Sequence, residues 1–190
     1  MLKPTSNIFV RLMAIAVLQT FVLGWIVWDR AALLRNGQEV QLAVVPVDPR
    51  DLLRGEYIIL RFDISRIDTL NVKTDRDFQS GDPVYVGLEK SQGGQWYAIS
   101  ANHQLPQGAS NIVFIKGKID YTTKGKNSAK VLNIKYGMEK FFIPEGDGPG
   151  LEDLRNEKVL RIVAAVSATG EAGIKALLVR GQPVYEETVF

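Results

Sequence analysis

Leu160-Arg161-Ile162-Val163-Ala164-Ala165-Val166-Ser167-Ala168-Thr169-Gly170-Glu171-Ala172-Gly173-Ile174-Lys175-Ala176-Leu177-Leu178 is the stretch that decides the fold class. Leu160, Ile162, Ala164 and Val166 recur at every second position, and so do Ala172, Ile174, Ala176 and Leu178. Successive side chains of a strand point to opposite faces, so this spacing marks one buried face on each of two strands. Thr169-Gly170-Glu171 separates them at hairpin distance.

The same period of two extends backwards through the chain. Ile58, Leu60, Phe62 and Ile64 alternate with Tyr57, Ile59, Arg61 and Asp63. Leu132, Ile134 and Tyr136 alternate with Asn133 and Lys135. Residues 40–47, 84–88, 96–100, 112–121 and 140–143 also read as strands. Gly93-Gly94 and Lys124-Gly125-Lys126-Asn127 supply two more hairpin turns. Short helical turns are expected at 49–54 and 151–156. About nine or ten strands joined by hairpins predict a mainly β domain, an antiparallel sandwich or a barrel-like sheet.

Before residue 38 the pattern is different. Residues 12–28 contain no charge, and only Gln19 and Thr20 are strongly polar. As a helix this run spans about 25 Å, close to the roughly 30 Å hydrocarbon thickness of a bilayer. Ile8-Phe9-Val10 extends it, with Arg11 able to snorkel to the headgroups. Trp25 and Trp28 stand where indoles favour the interface. The run ends in bulky and then charged residues rather than the small residues of a cleavage site, so an uncleaved transmembrane helix is predicted. Arg30 to Arg35 continue it as good helix formers, and Asn36-Gly37 predicts a left-handed stop. Two regions result: a transmembrane and juxtamembrane helix, 1–37, and a β-rich domain, 38–190. Lipid is the expected partner of residues 8–28. A short N-terminus before a long domain fits a signal-anchor with the domain outside the cytoplasm.

Composition removes several function classes. The net charge is +2, with both signs interspersed, so there is no nucleic-acid footprint. The absence of cysteine excludes disulfides and thiol chemistry, and a single histidine, His103, excludes a His-based metal cluster within one chain. His103 sits in a loop and is expected at the surface. No nucleotide-binding, metalloprotease or nucleophilic-serine motif appears, and no cofactor is called for.

Two stretches stand out: Pro46-Val47-Asp48-Pro49-Arg50-Asp51-Leu52-Leu53-Arg54-Gly55-Glu56-Tyr57-Ile58-Ile59-Leu60-Arg61-Phe62 and Tyr136-Gly137-Met138-Glu139-Lys140-Phe141-Phe142-Ile143-Pro144-Glu145-Gly146. Behind an N-terminal membrane helix they resemble the GDYXXLXY protein family over nearly the whole chain. Gly55, Tyr57 and Leu60 match the naming motif; Glu56 stands for its aspartate and Phe62 for its last tyrosine. The resemblance implies a bacterial membrane-anchored protein, often associated with polytopic membrane proteins. It carries over no catalytic residues.

Asp48, Asp51 and Glu56 read best as structure. Asp48 suits a helix N-cap, Pro49 the first helical position, Asp51 the third, and Gly55 a positive-φ end. A cation site or an acid/base pair is the competing reading. Arg50 and Arg54 bracket the same turn and pair with these carboxylates or with lipid phosphates. Glu139 and Glu145 flank Phe141-Phe142, of which alternation turns one inward and one outward. An outward Phe beside Ile143-Pro144 makes a partner-binding edge or a lipid contact.

The leading functional expectation is therefore an interaction protein, not an enzyme, docked on a polytopic partner in a bacterial inner membrane through the juxtamembrane helix and the 50–57 and 141–145 regions. An envelope hydrolase working through two carboxylates, and a ligand sensor with a pocket in a β-barrel, are the alternatives.

Overall fold

In a computed structural model, residues 5–45, 57–108, 111–125, 129–142 and 159–187 are described. Helix α1 (Thr5–Asn36) leads. Thirteen strands follow among the described residues: β1 (Gln38–Val45), β2 (Tyr57–Ile59), β3 (Arg61–Phe62), β4 (Arg66–Asp68), β5 (Lys73–Thr74), β6 (Pro83–Lys90), β7 (Trp96–Asn102), β8 (Val113–Lys124), β9 (Lys130–Lys135), β10 (Lys140–Phe142), β11 (Leu160–Val166), β12 (Ala172–Val179) and β13 (Gln182–Glu186). The fold is mainly β with one long apolar helix, as the periodicities require.

One sheet has the order β13-β12-β11-β1-β3 and a second the order β4-β9-β8-β6-β7-β5; β10 and β2 form a separate ribbon. Pairing is antiparallel except between β5 and β7. The antiparallel sheets include one curled into a half-barrel. Val40, Leu42, Ile162 and Leu177 of the first sheet and Val84, Val86, Leu88, Ile115 and Leu132 of the second belong to one buried core. Each such side chain contributes about 1.5–3 kcal/mol by leaving water. Facing side chains fill the space between the layers, which gives a packed sandwich.

The hairpins at Gly93-Gly94 and Thr169-Gly170-Glu171 form where expected, with Gly94 and Gly170 at positive φ. The turn after β8 begins with Gly125, whose N–H donates to the Ala129 carbonyl at 2.7 Å. The single strand read at 57–64 is broken instead. Its first part, β2, pairs with β10, and its second, β3, pairs with β1. Residues Asp63–Ser65 then tighten into a 3₁₀ turn. Leu60, Phe62 and Ile64 still point inward, because the alternation survives the change of partner. Of the strand read at 140–143, β10 holds the first three residues. The helical turns read at 49–54 and 151–156 lie outside the described residues.

Helix α1 ends differently from the expected left-handed stop: neither Asn36 nor Gly37 has positive φ. The Gly37 N–H donates to the Leu33 carbonyl at 2.8 Å. Glycine is needed there for closeness. A Cβ on Gly37 would stand 2.6 Å from the Leu33 oxygen and 3.0 Å from both the Ala165 Cβ and the Val166 nitrogen.

Candidate functional site

The candidate site lies where α1 meets the domain. Residues 8–36 of the helix are long and apolar enough to cross a membrane, with a mean hydropathy of 2.0 over their most apolar 18-residue stretch. From Ile8 to Arg30 every residue is exposed; Ala31 to Leu33 are half-buried and Leu34 is buried. The domain thus takes hold of the helix just beyond Trp28. Arg30 reaches across to β12, its Nη1 donating to the Ala172 carbonyl at 3.4 Å, and its guanidinium covers Gly173.

Two clefts flank this joint. One, of about 360 Å³, is lined by Arg30, Met138, Lys140, Phe141, Ile174 and Tyr185, among others. The other, of about 390 Å³, lies between Asp29, Leu33 and Asn36 of the helix and Ser167 to Thr169 of the β11–β12 turn. The first mixes cationic side chains with an aromatic wall: the rings of Phe141 and Tyr185 meet edge to face, centroids 6.2 Å apart.

Tyr185 comes from β13, and Phe141 from the ribbon that unites the two stretches singled out in the sequence. Lys140 pairs with Ile59, Phe141 with Ile58 and Phe142 with Tyr57. The Leu60 N–H donates to the Glu139 carbonyl at 2.7 Å, which continues the ladder by one rung. Glu139 holds the turn before β10. Its Oε1 accepts from the Tyr136 N–H, and its Oε2 accepts from the Gly137 N–H at 3.0 Å. Gly137 has positive φ, which lets two successive amides converge on one carboxylate.

Leu60 and Phe62 are 1% exposed, so both are core residues that offer no surface. Phe141 packs partly buried against the core. Tyr57 and Phe142 are placed by backbone pairing alone. Asp48, Pro49, Arg50, Asp51, Arg54, Gly55, Glu56, Pro144 and Glu145 lie outside the described residues.

Behind the ribbon, the Tyr136 hydroxyl donates to the Ile64 carbonyl at 2.7 Å, and its burial pushes its own pKa well up. Asp63 accepts from the Ile64 N–H at 2.9 Å. Burial of its carboxyl pushes it up to about 6, against lowering by backbone amides and Arg161. The residue keeps solvent access, so water screens part of this burial.

His103 departs from the surface position expected of a loop histidine. Its side chain is 11% exposed, and its ring stacks on Phe78 with centroids 3.9 Å apart and planes 4° apart. Nδ1 lies 2.9 Å from Asp75 Oδ1 and Nε2 lies 3.6 Å from Asp82 Oδ2. The signal in sequence is the isolated Phe78 in the polar run Asp75 to Asp82, which only the fold brings to His103. Among the described residues no cluster of three or more histidine, aspartate or glutamate side chains is arranged to hold a metal.

A packed β-sandwich held at its β11–β12 hairpin by a long, lipid-compatible helix defines a protein with a candidate membrane-spanning N-terminal segment and a domain gripping its stalk. A model of the GDYXXLXY protein family matches residues 19–177, and the chain belongs to that family. No curated protein and no solved structure matches it.

Proposed function

We propose that the chain is a single-pass membrane-tethered docking protein whose β domain binds a polytopic partner in a bacterial inner membrane, with the domain outside the cytoplasm. The observation that carries this reading is the joint. The domain grips α1 immediately after Trp28, through Arg30, Leu34 and Gly37. This geometry supports a Phe141–Tyr185 cleft that faces the headgroups, within reach of a membrane protein or of lipid. Tethering raises effective concentration, so a modest surface suffices.

The hydrolase alternative loses support at Glu139, whose two oxygens are both engaged by backbone amides. The packed core favours docking over a ligand-filled barrel.

The test has two stages. Alkaline carbonate should leave the intact chain in the membrane pellet; release would remove the tether. Mild-detergent purification should then retain a multi-pass protein at fixed stoichiometry, and isolation of the chain alone would overturn the docking role.

A further inference from the structure

Gln19 stands near the middle of the apolar run, and among the described residues its carboxamide has no partner within the chain. Its neighbour Thr20 differs, returning its hydroxyl to the Ala16 carbonyl at 2.9 Å. An amide in hydrocarbon loses the hydrogen bonds water gave it, and only another polar group restores them. In membranes such side chains bond across helix–helix contacts.

The direction in which Gln19 faces is set by the helix. Each residue turns the wheel by about 100° and rises about 1.5 Å, so Arg30, about three turns further on, is offset from Gln19 by only about 20°. Leu12, Leu23 and Ile26 fall on the same side. Arg30 and Leu34 are where the β domain rests on the helix. Gln19 therefore faces the space directly beneath the domain. Phe21, Trp25 and Trp28 are turned well away from it, and the Phe21 and Trp25 rings lie 6.4 Å apart on that other side. The helix thus has an aromatic side suited to lipid and a polar-centred side under the overhang.

We propose that the Leu12–Gln19–Leu23–Ile26 face packs against a transmembrane helix of the partner, and that this helix presents a hydrogen-bonding side chain to Gln19 at mid-bilayer. The inference deepens the docking reading and rests on it. A second copy of this chain does not fit. Two copies inserted in one membrane run parallel, and each domain leans over its own Gln19 face. The stalk of the second helix, residues 29–36, would rise into the volume that the first domain fills. A helix that ends at the membrane surface fits below without collision. That is the geometry of a polytopic protein with short loops.

The absence of cysteine makes the test clean. Single-cysteine variants of the full chain, Leu23→Cys and Ile26→Cys on this face and Phe21→Cys and Trp25→Cys opposite, are labelled with a thiol-linked photocrosslinker in native membranes. Expected is an adduct with one multi-pass protein, several-fold stronger from positions 23 and 26 than from 21 and 25. The crosslinked peptide should be an apolar segment containing Ser, Thr, Asn, Gln or His. Gln19→Leu should lower the adduct several-fold, and Gln19→Asn should restore it, with the domain equally resistant to protease in both. An adduct of two copies, or equal yields around the helix, overturns the proposal. A partner that co-purifies undiminished with Gln19→Leu sinks the intramembrane contact alone. No stoichiometric partner with the unaltered chain sinks the docking reading as well.

Discussion

The guanidinium of Arg30 lies over the bare backbone of Gly173, so close that a Cβ there would stand 2.6 Å from Cζ. A helix residue two positions past Trp28 thereby closes on the start of β12. Gly173→Ala is expected to displace this guanidinium, the movable end of a long side chain, at a cost under about 0.5 kcal/mol to the domain. Tryptic cleavage after Arg30 and Arg35 should accelerate in the variant. An unchanged cleavage rate with unchanged stability would show that Arg30 does not fasten the stalk.

Gly37→Ala meets backbone rather than a flexible tip. The new methyl collides with the Leu33 carbonyl and the Val166 amide, neither of which moves without shifting an element. Overpacking of this kind costs about 1–3 kcal/mol. Urea denaturation of the detergent-solubilised chain measures it, and a midpoint equal to that of the unaltered protein would contradict the close approach.

Glu139 serves two amides at once. Glu139→Ala leaves the Tyr136 and Gly137 N–H groups without their acceptor and should cost about 1–3 kcal/mol. Glu139→Gln retains one acceptor oxygen and should recover part of the loss. Were Glu139 a catalytic acid instead, the two variants would leave stability alone and abolish an activity.

Asp63 makes stability depend on pH in an unusual direction. Its carboxyl is pushed up to about 6 from 3.8. Between those values the folded chain holds the proton and the unfolded chain has released it, so stability falls as pH rises. Asp63→Asn removes that fall and should gain on the unaltered protein as pH goes from about 4 to about 7. Solvent access keeps the gain small. A gain in the opposite direction would mean that Arg161 outweighs burial at this site.

Asp75 acts the other way. Burial works to raise its carboxyl, but the His103 amide and ring and the Arg76 amide outweigh it and hold it below 3.8. Its contribution is fully present above 3.8 and is lost as pH falls through the depressed value. Asp75→Asn should therefore flatten the acid limb of thermal stability against pH. If both proteins lose stability in parallel on acidification, the His103 contact contributes nothing to folding.

The sandwich class was legible because the inward residues of β1, β9 and the first half of β11 alternate; β12 departs from the face read in the sequence, since an irregularity at Lys175 brings Leu177 rather than Leu178 into the core cluster. Gly93-Gly94 and Gly170 marked their turns for the reason that left-handed φ suits glycine. Strands of two or three residues, such as β4 and β5, leave no period to read, and β13 is mostly exposed and carries Pro183. Tyr57 to Ile64 carries one alternation yet serves two partner strands, a change no local pattern announces. Gly37 illustrates the same limit: the glycine is plain in the sequence, but its reason, the close approach of Ala165 and Val166 far along the chain, is not local. At the candidate site, Arg30 and Leu34 read only as good helix formers, whereas the ribbon joining Tyr57–Ile59 to Lys140–Phe142 unites the two stretches the sequence had marked separately.

The strand order has a consequence for biogenesis. β1, the first strand after the helix, pairs on one side with β11 near the opposite end of the chain, Gln38 meeting Val166. Such long-range closure is slow, because loop entropy is lost before the pairing rewards it. As the ribosome delivers the chain, β1 waits with one hydrogen-bonding edge open until β11, more than a hundred residues further on, has emerged. A nascent chain halted before Leu160 should consequently remain protease-sensitive, and acquisition of the native state is a late, concerted event rather than a stepwise growth outward from the helix.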